Sequence, residues 1–332
     1  MSLLHDIRKL LPREESIYAD EAEERVSFFF DRYRIKPRNF DDFNTMSRFL
    51  YPNTVSMERL QATCMIHSMF FFIDDLFFDT VKFDVSGLAI NPEAGESLSS
   101  VTYFLADLMH IFKSQEIPAN ASLIQQAFCE MGALVAEHAD PHWLQLFCDG
   151  IEDYIKAVIS READLHQRKT LLRDLESFLD LRPRETGGLH TCQLIEFTKD
   201  AYLPDEIRDH DQIKHLTWLA IGMASFVNDI FSYHKDVVIE GSEFNLVKIL
   251  TEIQGIPFDT AVKKSIKLVN NYADIFVEVR AQLPSWGREV DAVVEQYVDG
   301  LAEMMSGNLY WHATTNRYRS PDSPFEELRQ FS

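Results

Sequence analysis

The chain has 332 residues, of which 46% are hydrophobic and 26% charged, a composition typical of a folded globular protein rather than a disordered or low-complexity one. Its 32 basic and 53 acidic residues give a formal net charge of −21 at pH 7, which disfavours nucleic acid and anionic lipid as partners. If such a chain binds a polyanion, divalent cations held by its own carboxylates are the simplest bridge between the two.

The spacing of apolar residues and the low content of breakers, 12 Gly and 12 Pro, predict a largely helical chain. With breakers taken as boundaries, the predicted helices lie at about 17–34, 56–80, 97–115, 119–139, 142–180, 184–200, 206–239, 243–252, 258–283 and 287–316. Their mostly short connections are typical of an antiparallel bundle. We therefore predict an all-α fold, with residues 1–332 as one α-domain and mobile termini at 1–15 and 319–332.

Cysteine usage and apolar stretches bear on the cell compartment. The four cysteines lie far apart and predict neither a zinc site nor a dense disulfide framework: Cys64, Cys129, Cys148 and Cys192. The first residues carry charge in every turn, unlike a signal peptide, and the longest apolar stretches are shorter than the ~20 residues of a membrane-spanning helix. We expect a cytoplasmic protein without membrane insertion.

Three acids end a strongly apolar stretch of the second predicted helix: Asp74, Asp75 and Asp79. Carboxylates beside apolar side chains pay a desolvation cost and bind either a proton or a cation, so the cluster favours a metal site. Asp75 and Asp79 are four residues apart and share one helical face. Taken alone, the three acids are explained equally well by a helix end that meets water.

A second polar stripe follows an apolar stretch of another predicted helix. Asn228, Ser232 and Asp236 recur every four residues, and Lys235 falls near the same stripe, where it could meet a phosphate oxygen. Amide, hydroxyl and carboxylate oxygens are the hard donors that Mg²⁺ prefers. Taken alone, such a stripe is more often an exposed polar face.

Together these residues resemble the class I terpene synthases of microbial type. The pattern Asn228-Asp229-x-x-Ser232-x-x-Lys235-Asp236 is similar to the family's NSE/DTE metal motif, with Asp236 where many members have Glu. Asp74-Asp75-x-x-x-Asp79 resembles its aspartate-rich motif, with one residue more than the common spacing. Arg182, 46 residues before Asn228, matches a diphosphate-sensing arginine. Gly307-Asn308-Leu309-Tyr310-Trp311 and the pair Arg317-Tyr318 are similar to the family's C-terminal segment.

The resemblance implies a helical bundle of the class I terpenoid synthase type that binds an isoprenyl diphosphate through three Mg²⁺ ions, with a homodimer as the usual assembly. Metal ions and cationic side chains would stabilise the charge that develops as the allylic C–O bond breaks. The implied metal ligands are Asp74, Asp75, Asp79, Asn228, Ser232 and Asp236. The implied diphosphate-binding residues are Arg182, Lys235, Arg317 and Tyr318.

A carbocation intermediate requires an apolar cavity that excludes water and presents aromatic faces. The candidate lining residues are also explained by core packing: Phe71, Phe72, Phe77, Phe78, Trp218, Phe226 and Trp311. Thr186 and Gly187 follow Arg182, and we expect Gly187 and Gly188 to break that helix so that a carbonyl faces the cavity, as in the family's effector segment.

The resemblance predicts a Mg-dependent terpene cyclase that ionises a linear isoprenyl diphosphate and cyclises the carbocation to a sesquiterpene or diterpene, with release of diphosphate. Farnesyl diphosphate is favoured over geranylgeranyl diphosphate on family frequency. One alternative is a chain-elongating prenyltransferase, which would normally carry a second aspartate-rich motif where this chain has Asn228, Ser232 and Asp236. Another is a non-catalytic helical module that binds divalent cations, which gives no reason for the accompanying arginines.

Overall fold

The computed structural model describes residues 6–35, 43–77, 98–163 and 174–329, and for residues 72–77, 98–102, 153 and 155–163 it describes the backbone alone. Regular structure within these ranges is helical and includes no strand, which confirms the all-α prediction. The helices are α1 (Ala19–Arg32), α2 (Met46–Leu50), α3 (Met57–Phe77), α4 (Leu98–Ser114), α5 (Leu123–His138), α6 (Pro141–Ala163), α7 (Leu175–Arg184), α8 (Gly188–Lys199), α9 (Asp205–Arg208), α10 (Asp211–Tyr233), α11 (Leu246–Gln254), α12 (Phe258–Arg280) and α13 (Arg288–Thr314). A π-helical segment, His234–Ile239, continues α10, and a 3-10 turn spans Glu326–Leu328.

Most predicted helices have a counterpart, and the differences have local causes. The short helix α2 was not predicted. The prediction of one helix over 142–180 is wrong at Asp174, whose backbone is extended and whose carboxylate accepts the Ser177 N–H at 2.8 Å. An aspartate in that position satisfies an N–H of the first helical turn and so starts a new helix. The predicted helix 206–239 is divided before Asp211 and becomes π-helical at His234.

Helix α10 is the central helix of the bundle and carries part of the candidate site. Its sequence from Leu216 to Ile230 is apolar on nearly every side, as expected of a buried helix. It packs against α12 and α13 and also contacts α7, α8 and α11. The buried apolar side chains of the described ranges form one continuous cluster around it.

Helix α13 approaches α2 closely enough to touch its backbone. A Cβ atom added at Gly307 would lie 2.0 Å from the carbonyl oxygen of Phe49 and 2.5 Å from its carbonyl carbon. Only glycine fits such a contact between two main chains. The contact fixes the position of the last two turns of α13, which carry Trp311 and His312.

None of the helices in the described part of the chain is long and apolar enough to cross a membrane. The four cysteines carry free thiols, and Cys64, Cys148 and Cys192 are buried.

Candidate active site

The side chain of Asn228, near the end of α10, joins three elements that are distant in sequence. Its Oδ1 accepts a hydrogen bond from Arg182 Nη2 of α7 at 3.0 Å. Its Nδ2 lies 3.0 Å from Tyr318 Oη and 3.1 Å from His312 Nε2 of α13. The structure therefore brings together Arg182, Asn228 and Tyr318, which the sequence singled out separately, and adds His312, which it did not.

Asp229 holds Arg182 in place. Arg182 Nε donates to Asp229 Oδ1 at 2.8 Å, and the carboxylate is almost completely buried, with 1% of its side chain exposed. The other oxygen, Oδ2, accepts the Leu246 N–H at the start of α11 at 2.9 Å. Burial lowers the pKa of Arg182, but Asp229, together with Asp236 and Glu185, raises it, and the net pKa shift is upward. Arg182 is thus a fixed cation, and the second residue of the Asn-Asp pair serves to anchor it.

Ser232 lies one turn beyond Asn228 and is 1% exposed. Its Oγ has no hydrogen-bond partner within the described ranges and is shielded from solvent. By contrast, Ser225 on the same helix donates its hydroxyl to the Ile221 carbonyl at 2.7 Å. Leaving a buried hydroxyl unsatisfied costs about 1–3 kcal/mol, so the Ser232 hydroxyl is a candidate ligand for a bound group.

Asp236 lies in the π-helical segment, which alters its direction relative to Ser232. In a regular α-helix, residues four apart drift by about 40° around the axis. The wider π turn rotates each residue through a smaller angle, which reduces that drift. Lys235 Nζ lies 3.4 Å from Asp236 Oδ1 and 2.8 Å from Glu240 Oε1, so this cation is held between two acids at the end of the stripe.

His312 and Tyr318 form a parallel stack, with ring centroids 5.2 Å apart and an angle of 1° between the rings. The imidazole Nδ1 lies 2.8 Å from the Asn308 carbonyl oxygen, to which it donates in the neutral ring, so Nε2 accepts from Asn228. Burial lowers the pKa of His312 to about 4, which keeps the ring neutral at pH 7. Burial also raises the pKa of Tyr318, while the nearby Arg317 opposes this rise. His312 directly follows the Trp311 of the C-terminal motif, and that adjacency was the only signal in the sequence.

An aromatic wall adjoins this network. The guanidinium of Arg317 lies over the rings of Phe43 and Phe71, at 4.9 and 5.6 Å from their centroids. Phe43 and Phe71 stack at 4.2 Å, and Trp311 stacks on Phe71 at 5.8 Å and meets Tyr318 edge-on at 6.1 Å. Three of the predicted site residues, Phe71, Trp311 and Arg317, therefore lie together beside Tyr318.

Two predicted lining residues are placed elsewhere. Phe226 meets Tyr272 edge-on between α10 and α12, with ring centroids 5.4 Å apart. Trp218 lies beneath the exposed guanidinium of Arg184, 5.1 Å from its ring centroid. Both placements are those of packing residues rather than of residues next to Asn228.

The helix break after Arg182 is present, since α7 ends at Arg184 and α8 begins at Gly188. The Gly187 carbonyl accepts hydrogen bonds from the Thr191 N–H at 3.1 Å and from its hydroxyl at 3.0 Å. Thr186 Oγ1 accepts the Gly188 N–H at 3.0 Å. Both groups therefore take part in the first turn of α8.

The aspartate-rich motif is described only in part. Asp74 and Asp75 lie in the last turn of α3, where the structure gives the backbone alone, and the same holds for Phe72 and Phe77. Asp79 and Phe78 lie outside the described residues. Among the side chains that are described, no three His, Cys, Asp or Glu residues are placed to hold a metal ion together.

An apolar cleft lies between α3, α4, α5 and α6. Its lining consists of apolar side chains: Ile66, Met69, Phe70, Met109, Phe112, Phe128, Met131, Phe147 and Ile151. One of these lining residues, Phe70, directly precedes Phe71 of the aromatic wall on α3.

Residues 66–274 match a family model described as terpene synthase family 2, C-terminal metal binding. Sesquiterpene synthase 3 of Postia placenta is 37% identical over 185 residues, which are 55% of this chain and 50% of that protein. The chain thus spans about half the length of the curated sesquiterpene synthases that it matches. Germacrene A synthase of Nostoc punctiforme is 24% identical over 270 residues, 81% of this chain and 79% of that protein.

Two solved structures share the fold of this chain. The crystal structure of a-eudesmol synthase aligns with a TM-score of 0.74 and 18% identity over 93% of this chain and 98% of its own. That of germacradien-4-ol synthase from Streptomyces citricolor aligns with a TM-score of 0.73 and 22% identity over 94% of this chain and 99% of its own.

Proposed function

The chain belongs to terpene synthase family 2, and from this premise we propose that it is a magnesium-dependent terpene cyclase acting on a linear isoprenyl diphosphate. Its fold is the all-helical bundle of the class I terpenoid synthases, as predicted. The observation that carries the proposal is the side chain of Asn228, which contacts both Arg182 and Tyr318 within hydrogen-bond distance. A predicted metal ligand and two predicted diphosphate-binding residues thus share one hydrogen-bond network.

The residues of the stripe fit a magnesium ion. The buried Ser232 hydroxyl has no partner within the described ranges, and the carbonyl oxygen of Asn228 has a second lone pair besides the one that Arg182 uses. With the Asp236 carboxylate they form a set of hard oxygen donors. We assign one ion to Asn228, Ser232 and Asp236, and the other two of three ions to Asp74 with Asp75 and Asp79. Bound Mg²⁺ would supply Lewis-acid stabilisation of the departing diphosphate.

The cationic residues would orient the diphosphate and offset its charge. Asp229 fixes the Arg182 guanidinium through Nε, and the same guanidinium carries further N–H donors for a phosphate oxygen. Tyr318 Oη accepts from Asn228, which leaves its own proton to donate to the same group. Lys235 and Arg317 add positive charge on either side. In a chain of net charge −21, this local set of cations makes binding of a polyanion feasible.

The aromatic wall would serve the hydrocarbon half of the substrate. Phe71 and Trp311 lie beside Tyr318, so the isoprenyl chain attached to a bound diphosphate would lie directly against apolar rings. Ring faces stabilise a passing positive charge, and apolar surroundings exclude the water that would quench it.

The activity is tested by incubating the full chain with Mg²⁺ and geranyl, farnesyl or geranylgeranyl diphosphate, each in a separate reaction. Diphosphate release and volatile products are measured by phosphate assay and mass spectrometry. We expect a cyclic terpene, lost when EDTA is added. Asp236→Asn should abolish it, whereas Asp209→Asn, an exposed acid before α10 that pairs with Lys214, should not.

Other outcomes would identify the alternatives. A longer diphosphate, formed when isopentenyl diphosphate is added, would identify a chain-elongating prenyltransferase. No release of diphosphate from any substrate would favour the non-catalytic module. Five expectations stay predictions. Product analysis checks the C15 substrate, metal titration checks the three ions, and limited proteolysis checks the single domain. Light scattering checks the homodimer, and cell fractionation checks the cytoplasmic location.

A further inference from the structure

A second polar group lies in the core, outside the hydrogen-bond network of Asn228. His190, in the first turn of α8, is 2% exposed, and neither of its ring nitrogens has a hydrogen-bond partner in the described part of the chain. Aromatic rings surround it: the centroid distances are 5.8 Å to Phe70, 6.3 Å to Phe147 and 5.2 Å to Tyr154. A buried imidazole without partners pays a desolvation cost that packing alone does not require.

His190 is in contact with side chains of the apolar cleft. Phe70 and Phe147, which contact it, both line the cleft between α3 and α6. Phe70 precedes Asp74 by one helical turn, which is about 6 Å along α3. Two of the rings that contact the imidazole thus also line this cleft, which we take as the place of the hydrocarbon part of a diphosphate-bound substrate.

Gln193 and Gly150 lie on the Nδ1 side of the His190 ring. A Cβ atom added at Gly150 of α6 would lie 3.3 Å from Gln193 Oε1 and 3.8 Å from His190 Nδ1, so the amide and Nδ1 share the space that this glycine leaves open. In the tautomer that carries its proton on Nδ1, the lone pair resides on Nε2 at the far side of the ring. Burial lowers the pKa of His190 to about 4, with Gln193 opposing the shift, so the ring is neutral at pH 7.

We propose, on the basis of the proposed cyclase function, that His190 is the proton acceptor that ends the carbocation sequence. A C–H bond next to the cationic carbon breaks, and its electron pair becomes the new C=C bond of the product. The proton moves to Nε2 of His190 and forms an imidazolium, which returns it to solvent as the product leaves. No water, oxidant or reductant is consumed in this step.

The test uses the full-length variants His190→Phe and His190→Gln with Mg²⁺ and the isoprenyl diphosphate that the wild type accepts. Diphosphate release measures ionisation, and mass spectrometry measures the product ratio. We expect release to stay near the wild-type rate, because ionisation precedes deprotonation. The share of the main alkene should fall about tenfold or more, in favour of alcohols or of alkenes deprotonated at another carbon.

His67→Phe is the matched control. His67 is also buried on α3, and its Nε2 is unpartnered within the described ranges, but its Nδ1 is bonded to Ser47 Oγ at 2.9 Å and its ring stacks on Tyr51. We expect this variant to keep the wild-type product ratio.

Three results would overturn the proposal: an unchanged alkene share in both His190 variants, an equal change in His67→Phe, or loss of diphosphate release in a folded His190→Gln chain. Should His190→Phe not fold, the Gln variant decides. A wild-type chain that releases no diphosphate would refute the cyclase function itself, and this inference with it.

Discussion

Replacing Ser232 with alanine should stabilise the protein in the absence of Mg²⁺ and diphosphate and destabilise it, relative to the wild type, in their presence. In the metal-free protein the buried hydroxyl has no partner within the described ranges, so its removal relieves a penalty of about 1–3 kcal/mol. The small cavity left by one oxygen atom offsets part of this gain. We therefore expect Ser232→Ala to raise the free energy of unfolding by about 1 kcal/mol in EDTA.

With Mg²⁺ and inorganic diphosphate present, we expect Ser232→Ala to have a lower free energy of unfolding than the wild type. A ligand that binds only the folded state stabilises it in proportion to the logarithm of its concentration over Kd. Loss of one oxygen ligand, which water replaces in part, should weaken this binding about tenfold and remove about 1.4 kcal/mol of the ligand's stabilisation. Turnover should be reduced in the variant but not abolished.

The assay is urea unfolding followed by circular dichroism, in EDTA and in Mg²⁺ with diphosphate. Ser225→Ala is the control, because its hydroxyl is satisfied by the Ile221 carbonyl and its loss should cost about 0.5–1.5 kcal/mol in both conditions. If Ser232→Ala destabilises the metal-free protein as Ser225→Ala does, or if the ligand stabilises variant and wild type equally, the metal assignment of Ser232 is refuted.

Three further predictions concern the same region and the core. Asn228→Ala should abolish turnover with an unchanged far-UV spectrum, and a variant that still turns over substrate would contradict the site. Asn270→Ala should stay active, because the hydrogen bonds of Asn270 within the described ranges join it to the N-terminal segment. Asp229→Asn breaks a buried ion pair and should lower the free energy of unfolding by about 3–5 kcal/mol, and a loss below about 1 kcal/mol would contradict this role. Burial lowers the pKa of His67 from 6.5 to about 3, so the unfolded chain takes up this proton first, and stability is lost as pH falls between these values. In urea unfolding, His67→Phe should flatten this pH dependence, and an unchanged slope would show that His67 does not cause it.

The helices were predictable from apolar spacing and from breakers, because a helix of this bundle must bury one face or, like α10, nearly all of its surface. The points of failure are local. Asp174 starts a helix in the middle of a predicted one, through a cap whose effect depends on an extended backbone at that residue. The π-helical segment after Tyr233 has no periodicity signal, since six residues are too few to distinguish it from an α-helix.

The candidate site was predictable only in its residue types. Helical spacing places Asn228, Ser232 and Asp236 on one stripe, but that Arg182 and Tyr318 reach the same stripe depends on how α7 and the segment after α13 pack, which no local pattern encodes. The family resemblance supplied that pairing. It did not indicate that Asp229 anchors Arg182, because the contacts of this carboxylate with α7 and α11 depend on how those helices pack.

The contact between Gly307 and the Phe49 carbonyl links the candidate active site to the amino-terminal part of the chain. With main chain resting directly on main chain, any added methyl group would displace the end of α13 outward as a rigid rod. His312, little more than one turn farther along, would move with it and pull away from Asn228. We therefore expect a substitution at Gly307 to abolish the proposed activity, although this residue would touch neither metal nor substrate. The mutational tolerance of the candidate site thus depends on the absence of a side chain at a residue outside it.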